Sequence, residues 1–128
     1  MNGHQSDEVS SRSKIGLLIS PDLFFTSKVT GTAQALGLRV LAVDDIASAT
    51  AHLQSGGISC VLFDLSPPRA SVADVFLAIP AGEPIPVIAF GSHVSTELLD
   101  AARATGALVM PRSQFAASLP DLLKQHLA

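Results

Sequence analysis

The chain has 128 residues, 48% of them apolar and only 15% charged, which excludes compositional disorder and fits one domain with one aliphatic core. Its formal charge of −3 is spread along the sequence, and no Lys/Arg cluster gives the basic footprint that nucleic acid or an anionic membrane requires. The apolar runs are too short to span a bilayer, the opening MNGHQSDEVSSRSK lacks the hydrophobic segment of a secretory signal, and the single Cys60 cannot close an internal disulfide, so a cytoplasmic protein is expected.

Residues 1–13 are rich in Ser, Asp and Gln without periodicity and read as a flexible tail, leaving residues 14–128 as the domain. Five apolar runs follow: Ile15–Ile19, Leu38–Val43, Ile58–Phe63, Ile85–Phe90 and Leu108–Met110. Runs that are apolar on both sides of the pleat suit parallel strands covered by helices on both faces. Between them the spacing turns helical. Phe25, Val29, Ala33 and Leu36 form the first stripe, stopped at Gly37, and Ile46, Ala49 and Leu53 the second, closed by Ser55-Gly56-Gly57. Val72, Val75, Phe76 and Ile79 form the third, ended by Pro80 and Gly82. Ser95 is placed to cap a fourth helix with Leu98, Leu99 and Ala102 inside it and Gly106 after it. Phe115, Leu119, Leu122, Leu123 and Leu127 form the last, whose start is expected near Leu119 because Pro120 suits a first turn capped by Ser118. The alternation gives an open, doubly wound α/β sheet of five parallel strands and five helices.

In such sheets ligands and chemistry gather outside the carboxyl ends of the strands. The residues expected there are Ser20-Pro21-Asp22, Asp44-Asp45, Asp64, Gly91-Ser92-His93 and Pro111-Arg112-Ser113. Asp64 emerges from the buried run Cys60-Val61-Leu62-Phe63, either to bond the next loop or to serve a site. Asp44-Asp45 reads as a helix cap. Ser92, His93 and Asp64 would supply the residue types of a hydrolase triad, but Phe90-Gly91-Ser92-His93-Val94 lacks the Gly-x-Ser-x-Gly spacing. His4, His52, His93 and His126 have no metal-binding spacing, and no glycine-rich phosphate loop follows the first strand. Leu23-Phe24-Phe25 cannot all face the sheet from one helix, so Phe24 is expected at the top surface or over Asp64.

On these residues the chain resembles the receiver domains of two-component response regulators. The resemblance runs from about Lys14 to Leu127. It rests on FDLSPP (Phe63–Pro68) as the third strand with its phospho-acceptor aspartate, on PVIAFGSH (Pro86–His93) as the fourth strand and switch loop, and on the order of the ten elements. It implies a flavodoxin-like three-layer sandwich with strand order 2-1-3-4-5 and puts Asp64 at the phospho-acceptor position. The family's acidic pair falls on Ser20 and Pro21, which supply no carboxylate, and Asp22 stands one residue late. The family's Thr or Ser falls on Gly91, with Ser92 next to it, and its lysine is replaced by Arg112. Asp64 and at best Asp22 remain as metal ligands, so the expected form is degenerate, without bound metal or cofactor; Mg²⁺ enters only if Asp64 is a working acceptor. Arg112 is expected to pair with Asp64 in place of the metal and the lysine.

The function expected is a stand-alone signalling module, not an enzyme, that regulates a protein partner, with conventional phosphorylation impaired and no output domain in the sequence. The resemblance implies a histidine kinase or a downstream signalling protein as partner, through the fourth helix, fifth strand and fifth helix. Ala101, Phe115 and Leu119 are the candidate contacts there, and a homodimer is a second use of that face. Two other readings stand beside this one: a receiver phosphorylated on Asp64, and a flavodoxin-like ligand-binding or enzymatic domain.

Overall fold

A computed structural model describes residues 14–65, 72–92, 94 and 96–128, with Leu98 described by its backbone alone. The tail expected over residues 1–13, the Ser66–Pro68 part of the acceptor motif, His93 and the Ser95 cap lie outside the described residues. Five strands, β1 (Ile15–Ile19), β2 (Arg39–Val43), β3 (Ile58–Asp64), β4 (Val87–Gly91) and β5 (Leu108–Pro111), pair in parallel in the order β2-β1-β3-β4-β5. The expected fold class and strand order are those observed.

Alternation along each strand sends successive side chains to opposite faces, and each face has its own core. Leu18, Cys60, Leu62, Ile88 and Phe90 pack against α1 (Leu23–Ala35) and α5 (Arg112–Leu127). Leu17, Ile19, Val61, Phe63, Val87 and Ala89 pack against α2 (Ile46–Ser55), α3 (Val72–Ala78) and α4 (Thr96–Ala104). β1, β3 and β4 are thus covered on both sides, which is why their sequences are apolar without alternation. Gly16 allows a close approach within this packing: a Cβ there would lie 3.2 Å from Leu127 Cδ1 and 3.4 Å from Val40 Cγ2.

Local chemistry sets the element ends. Gly37 takes a φ of 73°, its N–H bonds Gln34 O at 3.0 Å, and the Leu38 N–H bonds Ala33 O at 2.8 Å. That closes α1 in a Schellman turn, and since Leu38's donor is used by the helix, β2 begins at Arg39 rather than Leu38. The fourth strand starts at Val87, two residues later than expected. Ile85 N–H turns back to Glu83 O, Pro86 has no N–H to give, and the β3 ladder starts on the Pro86 carbonyl, which accepts from Val61 N at 2.9 Å.

The fifth helix corrects the expectation most clearly. It begins at Arg112, not near Leu119, and runs through Pro120. Ser118 is therefore no cap. Phe115 on one side of the proline and Leu122, Leu123 and Leu127 on the other all enter the same core. That shared burial outweighs one lost backbone bond and the ring's steric cost of about 3 kcal/mol.

Cys60 is buried under α1 and α5, and burial lifts its thiol from an ordinary 9.0 to about 12. Below pH 9.0 both folded and unfolded chains keep the thiol proton. Between pH 9.0 and about 12 only the unfolded chain gives it up, so this group withdraws stability as pH rises through that window. The expected outcome is a native thiol inert to a disulfide reagent at pH 8 and stoichiometrically reactive in denaturant. The fall of Tm above pH 9.0 should be shallower in Cys60→Ala than in the wild type.

Candidate functional site

The sheet register builds the site. Ile19 sits opposite Phe63 on the central strands, so Ser20 leaves β1 beside Asp64. Asp64 lies opposite Phe90, and Phe90 opposite Met110, so Arg112 enters α5 two strands away from Asp64. Two strand spacings are roughly 10 Å, within reach of an arginine side chain.

Arg112 spans the gap. Its Nη2 donates to Asp64 Oδ1 at 2.8 Å, while Ser20 Oγ donates to Asp64 Oδ2 at 2.7 Å. The Asp64 side chain is 0% exposed and that of Arg112 is 28% exposed. The guanidinium carbon also lies 4.8 Å from the centroid of Phe25 and 5.3 Å from that of Phe90. These two rings belong to a cluster completed by Phe115, which stacks on Phe90 at 4.2 Å. The aromatic faces favour the cation. A positive charge at a helix N-terminus opposes the macrodipole, and the Asp64 carboxylate offsets that charge.

Asp22 has a different task. It is the N-cap of α1, its Oδ1 accepting from the Phe25 N–H at 3.1 Å, and its Oδ2 is 4.0 Å from Arg112 Nη1. Asp45 caps α2 in the same manner, and its bond from Ser48 N–H holds its carboxyl below the usual value. Pro21 is exposed and turns the chain into α1. Gly91 is buried, and a Cβ there would stand 3.1 Å from Leu65 Cβ. A hydroxyl-bearing side chain at 91 would have to push Leu65 aside. Ser92 is exposed, its Oγ accepting a long bond of 3.4 Å from Val94 N–H.

The structure thus brings together Ser20, Asp22, Asp64 and Arg112, and leaves Ser92 outside the cluster. Phe24 is at the surface, 92% exposed. The candidate partner face needs a correction: Phe115 and Leu119 lie in the core at 0% and 1% exposure, because their stripe is the one that packs α5 on the sheet. Ala101 is exposed. Sequence reasoning missed the roles of Phe25 and Phe90 as the bed for Arg112. The signal was present in Phe90 closing the fourth strand and Phe25 opening the first helical stripe.

No protein-family model matches the chain, and no curated protein matches its sequence. Solved structures match its fold, which is first a flavodoxin-like, doubly wound α/β sandwich. A de novo designed Rossmann 2x3 protein has a TM-score of 0.71 at 13% identity, over 91% of this chain and 93% of the design. More narrowly, the fold is that of response regulator receiver domains. NtrX from Brucella abortus, in complex with ADP, has a TM-score of 0.73 at 18% identity over 88% of this chain. A response regulator receiver protein from Burkholderia phymatum has a TM-score of 0.68 at 17% identity, over 87% of this chain and 95% of that one. This chain spans 26% of the NtrX chain. At these identities the likeness is one of fold, and a fold by itself defines no activity.

A receiver fold implies Mg²⁺ beside the acceptor aspartate, and the residues here do not fit it. Mg²⁺ demands near-octahedral oxygen ligation. Both Asp64 oxygens are hydrogen-bonded, one of them to a cation that would repel the metal, and Asp22 Oδ1 is committed to its helix. Among the described residues no group of three or more His, Cys, Asp and Glu is placed to hold a metal ion. Among them, too, no helix is long and apolar enough to cross a membrane.

Ser20 and Ser92 make opposite predictions. Ser20→Ala removes a donor from a buried carboxylate and should cost about 1–2 kcal/mol in urea unfolding. Ser92→Ala should stay within about 0.5 kcal/mol of the wild type, as an exposed site does.

Proposed function

We propose that this chain is a receiver-like signalling module that regulates a protein partner without enzymatic activity, and that Mg²⁺-dependent phosphorylation of Asp64 is impaired. The observation that carries the reading is the direct contact of Arg112 with a fully buried Asp64 carboxylate. Aspartyl phosphorylation needs a carboxylate oxygen directed at an incoming phosphorus, in line with its leaving group, with the phosphoryl charge neutralised by a metal. Here one oxygen is paired with a guanidinium and the other accepts a serine hydroxyl. A donor molecule would first have to displace Arg112 from its aromatic bed.

The receiver fold supports the signalling role, and the substituted acidic pair, Ser20 and Pro21, supports the impairment. Ser20 does more than omit a charge. Its hydroxyl fills the place on Asp64 that a second carboxylate would make repulsive. The partner class this reading favours is a histidine kinase or a downstream signalling protein, bound through exposed parts of α4 and β5 such as Ala101 and Leu108, which is 53% exposed.

Incubation with acetyl phosphate and Mg²⁺, followed by intact-mass spectrometry, tests the proposal. The expected result is an unmodified chain. A stoichiometric phosphoryl adduct that disappears in Asp64→Asn would overturn it.

A further inference from the structure

A second surface lies at the other end of the sheet. Between α3 and β4 the chain forms an open groove of about 470 Å³, within the usual size of a ligand site. Half-buried Phe76, Ile79 and Ile85 form its floor, and Pro80, Pro84 and Pro86 its walls. Pro86 precedes the first residue of β4, so the groove opens at the amino ends of the strands, away from Asp64 at their carboxyl ends.

Two features define what fits. The walls are proline rings with fixed φ, so little backbone freedom remains to be lost when the groove is filled. The charge in the lining is of one sign: Glu83 is its one charged residue, and it is exposed. We propose that this groove docks a segment of a partner protein that presents an aliphatic or aromatic side chain beside a lysine or arginine. The apolar side chain covers Phe76, Ile79 and Ile85, and the cation meets the exposed Glu83 carboxylate at the rim. The site is independent of Asp64 and holds whether or not that residue is phosphorylated.

The test uses the full ¹⁵N-labelled chain and two defined peptides, acetyl-Lys-Leu-Phe-Lys-amide and acetyl-Glu-Leu-Phe-Glu-amide, titrated by NMR. The expected result is saturable shifts of the Phe76, Ile79, Glu83 and Ile85 amides, with the basic peptide binding about three- to fivefold more tightly, the size an exposed charge pair supports. Glu83→Lys, a surface change compatible with the fold, should reverse the preference. Asp64→Asn should leave both affinities unchanged, which separates failure here from failure of the Asp64 reading. Shifts confined to residues outside the groove, equal affinities for the two peptides, or a preference unmoved by Glu83→Lys would each overturn the proposal.

Discussion

The carboxyl end of this sheet depends on one ion pair. Asp64 leaves the central strand with its side chain wholly buried, and an unpaired carboxylate there would cost several kcal/mol. Arg112 supplies the counter-charge from the first turn of α5, two strands away, and Ser20 supplies the second hydrogen bond from the end of β1. Because Arg112 also rests on Phe25 and Phe90, the pair ties β1, β3, β4, α1 and α5 to one point.

Ser20 brings a neutral hydroxyl to Asp64 from the end of β1, and the Arg112 guanidinium is in direct contact with the same carboxylate. Arg suits this role better than Lys because its planar, weakly hydrated head can bond a carboxylate and lie against aromatic rings at once. Gly91 lies beside this cluster, and Leu65 packs where a side chain at 91 would stand.

Much of this was legible in the sequence, for physical reasons that differ by element. The strands were visible because β1, β3 and β4 are buried on both faces and leave long apolar runs. The role of Asp45 as a cap followed from its position just before a helical stripe. The start of α5 was hidden because a proline is a strong local signal, while the burial that overrides it is tertiary and involves Phe115 from before the proline. For the same reason Phe115 and Leu119 read as surplus surface when they are core. That Arg112 could reach Asp64 followed from the strand ends, but its bed of Phe25 and Phe90 required two elements to meet. Ser20 was visible as a lost acid and not as a gained hydroxyl donor, which depends on the register of β1 on β3.

A double-mutant cycle on Asp64→Asn and Arg112→Met, read by urea unfolding, tests the central claim most directly. If the ion pair organises the site, the two substitutions should be coupled by about 1–3 kcal/mol, so that the double variant is more stable than the sum of the single losses implies. Strictly additive losses would mean that Arg112 and Asp64 act separately, and the account of this site would be wrong.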